Sequence, residues 1–188
     1  MNKKTSYKIG GMLALSAVLL SPIMASAATD TGDTTINATV NSTLSMTTSG
    51  TVAMSVTPTG AGVGSSAKDT ITVSTNNPSG YDLSLEADDA ITTLSNGSDT
   101  LAAQVTPGAL ANNSWGYSLD ATAAESNVTT LVGTWNGVPA AGSATSIKTT
   151  ATTAASDVTD VWYGVKADTT KESGVYTGTV TYTAVTNV

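Results

Sequence analysis

From Ile36 almost to the last residue, short segments place apolar side chains at every second position, and no stretch in that span keeps the three- and four-residue spacing of a helical face. The run ESGVYTGTVTYTAV, residues 172–185, shows the pattern at its plainest. Tyr176, Gly178, Val180, Tyr182 and Ala184 fall on one side of an extended chain, and Thr177, Thr179, Thr181 and Thr183 on the other. A slip of one residue would expose Val180 and both tyrosines, at about 1.5–3 kcal/mol for each large apolar side chain misplaced. The register of such a strand is therefore firmly set, and its dry face needs a second layer to cover it.

Other segments repeat the pattern. Ile36, Ala38, Val40, Leu44 and Met46 share a parity, as do Val52, Met54 and Val56 beyond Ser49-Gly50. Residues 58–66 read as a Pro- and Gly-rich loop. Ile71, Val73 and Thr75, then Tyr81, Leu83, Leu85 and Ala87, flank NNPSG, where Pro78 presets a turn and Gly80 permits a positive φ, so a hairpin is expected. Further sets are Trp115, Tyr117 and Leu119, then Leu131, Gly133 and Trp135, then Val161, Tyr163, Val165 and Ala167, with weaker strands near Leu101–Val105 and Ile147. The expected fold is all-β: an antiparallel β-sandwich of about nine or ten strands, immunoglobulin-like or a jelly-roll Greek key.

Residues 1–27 read as a secretory signal peptide. Lys3, Lys4 and Lys8 precede an apolar run from Ile9 to Leu20, and Ala25-Ser26-Ala27 offers a cleavage site before Ala28. The run is shorter than the roughly 20 residues of a membrane span. Gly10-Gly11-Met12 offers a rival, a type IV prepilin cut, but Ser16 stands where that family has Glu. The remainder divides into a flexible N-terminal segment, residues 28–33, and a single domain, residues 34–188. No lipoprotein thiol is available, and the few residues after Val185 give no expectation of a sorting motif or tail anchor.

After cleavage four lysines face fourteen acidic side chains, a balance that disfavours binding to phosphate backbones and anionic lipid surfaces. Nucleic-acid partners and membrane insertion of the mature chain are not expected. The chain has 36 threonines and 22 serines, which suits pleated surfaces, and it lacks Cys, so disulfides do not stabilise it.

Two family resemblances rest on particular runs. ESGVY, Glu172 to Tyr176, is similar to the acid-x-Gly-x-Tyr run that opens strand F of immunoglobulin-like domains. That resemblance implies that the Tyr176 hydroxyl bonds back to the chain and pins a corner. Gly178 stands where antibody domains carry cysteine, which excludes that subclass. GYDLSLEA at 80–87, LVGTW at 131–135 and SGVYTGTVTYTA near the end resemble the layout of WxL-type bacterial surface domains, secreted modules associated with the cell wall. Tyr81-Asp82-Leu83 and Tyr182-Thr183-Ala184 occupy the positions of its signatures, with tyrosine for tryptophan in both and alanine for leucine in the second.

The inventory narrows the chemistry. There is no His to act as a base near neutrality, and no Cys for thiol catalysis or a zinc site. A carboxylate pair on one strand remains, with Asp82 and Glu86 about 13 Å apart and Glu86 and Asp88 about 6.6 Å apart at strand spacing. Acids on a wet strand face are ordinarily solubilising, so neither a catalytic residue nor a cofactor is expected. Asp88-Asp89 and the NGSD loop are weak calcium candidates, and the N-x-S/T triplets follow from composition. Lys68, Lys148, Lys166 and Lys171 raise the idea of a covalent bond to an Asn or Asp side chain, without a partner fixed by the sequence.

Trp115, Tyr117, Trp135 and Trp162 form the candidate ligand or partner face. The first three serve equally as core in a chain without Phe, whereas Trp162 has the opposite parity from Val161 and Tyr163 and is expected to be the most exposed aromatic. The function expected is that of a secreted, non-enzymatic cell-surface or extracellular structural and adhesive protein. Two alternatives are a module binding cell-wall polysaccharide and a fibre subunit that self-associates by strand donation from residues 28–46. Its partners would be wall polysaccharide, other surface proteins or its own copies.

Overall fold

The computed structural model describes residues 27–188, in which every regular element is a strand. The leader expected at the N-terminus lies outside the described residues, apart from Ala27 at its end; Ala27 and Ala28 are exposed and belong to no strand. The chain divides into two compact units at Thr39 and Val40. Of the first unit, residues 27–39 are exposed throughout and carry no strand.

The second unit holds ten strands: β1 (Leu44–Thr47), β2 (Val63–Thr75), β3 (Tyr81–Ala87), β4 (Leu94–Ser95), β5 (Thr100–Ala103), β6 (Ser114–Ser118), β7 (Glu125–Val128), β8 (Thr145–Thr149), β9 (Ala154–Ala167) and β10 (Val180–Thr186). They form two sheets. The larger runs β1-β2-β9-β6-β5-β4, with β7 beside β2, and the smaller runs β10-β3-β8. Its spine is the β2–β9 ladder, from Val63 opposite Ala167 to Thr75 opposite Ala154. Among the described strands all pairings are antiparallel except β5 with β6, where Ala102 and Ala103 run alongside Ser114 and Trp115; an isolated bridge between Thr59 and Asp168 is also parallel. The loop between them is held by the buried Gln104, whose amide donates to Thr106 and Ala109 carbonyls and accepts from Ala111 N–H and the Ser114 hydroxyl.

The turn at NNPSG corrects the hairpin expectation. Gly80 does adopt φ +78°, and a Cβ there would lie 2.4 Å from the Thr150 carbonyl oxygen. Yet β2 and β3 belong to different sheets. Alternation says which side chains turn inward, and that is equally true of strands lying side by side and of strands facing each other across a core. Here they face. Ile71 and Val73 from β2, Leu83 and Leu85 from β3, and Val161 from β9 are all fully enclosed in one cluster, with Val180, Tyr182 and Ala184 of β10 packed against it.

The larger sheet is covered on its outer face too. Gly64, Gly116 and Gly164 sit on β2, β6 and β9, with Gly116 opposite Gly164. A Cβ on Gly164 would stand 2.6 Å from the Trp135 ring, and one on Gly64 would stand 2.9 Å from Leu131. These glycines form a furrow into which the 119–138 segment lays Trp135, which is fully buried with Leu110, Ala121, Leu131 and Trp162.

Several boundaries differ from the alternation. Val63–Ser66, expected in a loop, opens β2, and β9 starts at Ala154 rather than near Val161. Leu131–Trp135 is no strand, only single bridges from Trp135 to Gly108 and from Asn136 to Tyr117. Leu119 is 46% exposed, because the chain leaves β6 at Ser118. Val52, Met54 and Val56 do turn toward the core, but Ser49 and Ser55 meet β2 through side-chain bonds with Asp69, Thr70 and Ser65 instead of a ladder. Of the set from Ile36 to Met46, only residues 44–47 pair; Ile36 and Val40 are 87% and 84% exposed.

Candidate functional site

Trp115, Tyr117 and Trp135 are buried, and Trp115 spends its indole N–H on the Thr92 carbonyl, 2.8 Å away, while its ring stacks 6.4 Å from that of Tyr163. The expected aromatic face is therefore not displayed. Trp162 does point to the opposite side of β9 from Val161 and Tyr163, as parity requires, but it lies beneath the 119–138 segment and is only 8% exposed. Parity fixes a direction and carries no information about what loop covers it.

The phenols hold the two layers together. Tyr163 on β9 and Tyr182 on β10 share a hydroxyl–hydroxyl bond of 2.6 Å across the core. Burial, above all, pushes both phenols well above the ordinary tyrosine value. Tyr81 on β3 donates to Asp157 on β9 at 2.8 Å, and Asp157 also receives the Lys148 ammonium from β8 at 2.7 Å. Burial and then this carboxylate push Tyr81 up to about 12, while Lys148 holds Asp157 below the usual carboxylate range.

The Tyr176 hydroxyl stands 2.9 Å from the Glu172 carbonyl oxygen and 2.9 Å from Asp99. One proton serves one of these acceptors at a time. Asp99 also accepts Lys171 at 2.9 Å, together with Thr100 and Glu172 N–H groups, so its carboxyl is held far below the usual range, chiefly by Lys171. Tyr176 itself is pushed up to about 12 by burial and by Asp99. Asp99 ends the NGSD run, which reads as a turn and a calcium candidate, with nothing in the sequence linking it to Tyr176.

The carboxylates weighed for catalysis are engaged in the same way. Asp82 on β3 accepts Ser146 and Thr149 of the β8 strand at 2.7 and 2.6 Å, and Glu86 accepts the Gly142 N–H at 2.7 Å. Among the described residues no three carboxylates converge as a metal cluster would need. Lys68, Lys148 and Lys171 form ion pairs with Asp160, Asp157 and Asp99. Each lysine draws its aspartate below the usual carboxylate range.

Among the described residues two open grooves border β9: one of about 600 Å³ lined mainly by polar residues of 150–158, and one of about 540 Å³ beside β8 and the first half of β9. Leu119, Ile147, Val158 and Trp162 give the latter an apolar lining, with Lys68 and Lys148 on its rim. The Lys68 ammonium sits 5.8 Å from the Trp162 ring centroid and 2.8 Å from Asp160. Leu119 was read as the inward end of the Trp115–Tyr117 set, but β6 stops at Ser118 and frees it; Val158 escaped the sequence reading because its parity is opposite to that of Val161 and Tyr163.

No family model matches the chain, and neither a curated protein nor a solved structure matches it.

Proposed function

We propose that this chain is an exported, non-enzymatic structural or adhesive component of a bacterial cell surface, built on an immunoglobulin-like or jelly-roll sandwich and related in role to WxL-type domains. The observation that carries the reading is how the strongly perturbed groups are used. Tyr81, Asp99, Asp157, Tyr163, Tyr176 and Tyr182 all bond to one another or to lysines across strands and loops, as ties rather than as a set converging on a cavity. Perturbed titrations cluster at catalytic sites when they line a cleft; here they sit at seams.

Fractionation of the producing cells tests the reading. Recovery in the wall or surface-polymer fraction is the expected result, and a cytoplasmic pool of uncleaved chain would overturn it. Hydrolytic turnover of a glycan or peptide by the purified protein would overturn the non-enzymatic part. Binding of wall polysaccharide has one observation in its favour, the groove edged by Trp162 and Lys68, and a wall pull-down with Lys68→Ala and Leu119→Ala decides it: retention equal to wild type removes that alternative.

A further inference from the structure

We propose that copies of this chain join head to tail by strand addition, with residues 34–42 of one molecule lying along the unpaired edge of β9 in the next. The acceptor follows from unequal strand lengths. β2 accompanies β9 along its whole length, whereas β6 reaches only from Lys166 to Trp162. From Ala154 to Val161 no described strand pairs with β9 on the β6 side. At Val158 the backbone carbonyl accepts the Lys148 ammonium at 3.1 Å, a single side chain standing where a neighbouring strand would supply an N–H. The groove opens along this edge, and across it β8 is itself an edge strand. Leu119 and Val158, 46% and 52% exposed, present apolar surface there.

The donor is written in the chain. Thr34-Thr35-Ile36-Asn37-Ala38-Thr39-Val40-Asn41-Ser42 alternates apolar with polar, contains no Pro to interrupt a ladder and no Gly to loosen it, and spans about 30 Å when extended. Its middle residues suffice for the regular part of the gap, Asp157–Val161, since Ser156 at φ +56° and a register shift interrupt the strand just before it. The stretch carries no charge, so docking it strips no ion of water, and the only charges shortly before it, Asp30 and Asp33, approach a rim holding Lys68 and Lys148. Ile36 and Val40, almost wholly exposed, would cover Leu119, Ile147 and Val158 in the manner of an added strand.

A second copy is the occupant because of where the donor is tethered. β1 begins at Leu44 and pairs with β2 on the side away from β9, so the donor leaves its own molecule two strands from its own groove. Each molecule then offers one strand and accepts one, a heterologous contact that builds chains instead of closed pairs.

Sedimentation velocity of the purified protein from micromolar to millimolar concentration tests this, independently of where the protein resides in the cell. The expected result is a ladder of dimers, trimers and longer species growing with concentration. The double variant Ile36→Asp, Val40→Asp removes the donor without touching any strand, and Val158→Lys places a charge on the acceptor edge; each alone stays monomeric. Mixed, the two restore a dimer and nothing longer, since only one intact donor meets one intact acceptor. If Val158→Lys does not fold, the donor variant decides alone. A wild-type monomer at every concentration, or a ladder that survives the donor variant, overturns the proposal.

Discussion

Tyr163 and Tyr182 show how much a single proton can hold. Their hydroxyls meet 2.6 Å apart between the layers, so one donates and the other accepts. Tyr163→Phe leaves the Tyr182 hydroxyl without this partner in a largely dry site, and a loss of about 1–3 kcal/mol is expected by urea denaturation. Replacing both by Phe removes the pair together and should cost less than the two single changes added. The same phenols set the alkaline limit. Tyr81 and Tyr176 titrate at about 12 when folded, and Tyr163 and Tyr182 also lie above the unfolded value near 10. A raised folded value means that the unfolded chain gives up protons first, so stability is full below about pH 10 and falls as pH rises through 12. Tyrosinate absorbance should therefore rise together with the loss of strand signal in circular dichroism. At this scale the sequence was partly readable: the run ESGVY pointed to the hydroxyl of Tyr176, but its partner Asp99 stands 77 residues earlier and no local spacing announces it.

Among the strands, the furrow on the outer face of the larger sheet is the most exacting feature. Gly164 leaves room for Trp135, and Trp135 leaves its own indole N–H buried without a partner, so the packing depends on shape alone. Gly164→Ala is expected to cost about 1–3 kcal/mol through overpacking, seen as a lower denaturant midpoint with an unchanged m-value. Combined with Trp135→Leu, which vacates part of the furrow, the added cost of the alanine should shrink. Strands with one buried parity, such as Tyr81–Ala87, were legible because polar residues separate the apolar ones. In β9 the stretch Val161–Val165 is buried on both faces, and there alternation loses its meaning. The pairing of β2 with β9, rather than with β3 next along the chain, was hidden for the reason given by the NNPSG turn: inward direction does not name a neighbour.

For the molecule as a whole, acid and synthesis impose the limits. Asp99, Asp120, Asp157, Asp160 and Asp168 all titrate below their ordinary value when folded, drawn down mainly by lysines for Asp99, Asp157 and Asp160 and by hydroxyl donors for Asp120 and Asp168. A lowered folded value means stability present above about pH 4 and lost as pH falls further, when the unfolded chain binds the protons. The urea midpoint should hold steady from neutrality to about pH 5 and decline below 4, with modest dependence on salt because the lysine pairs are partly exposed. An all-β class was readable from periodicity, while the sheet order was not. That order carries one more consequence. A ribosome releases Val63 long before Ala167, and the central ladder cannot begin to zip until β9 exists. Closing so wide a loop places its folding in the millisecond-to-second range typical of non-local β topologies. Until then the first half of the chain can close only the short β1–β2 ladder, so the core waits on the last third of the sequence.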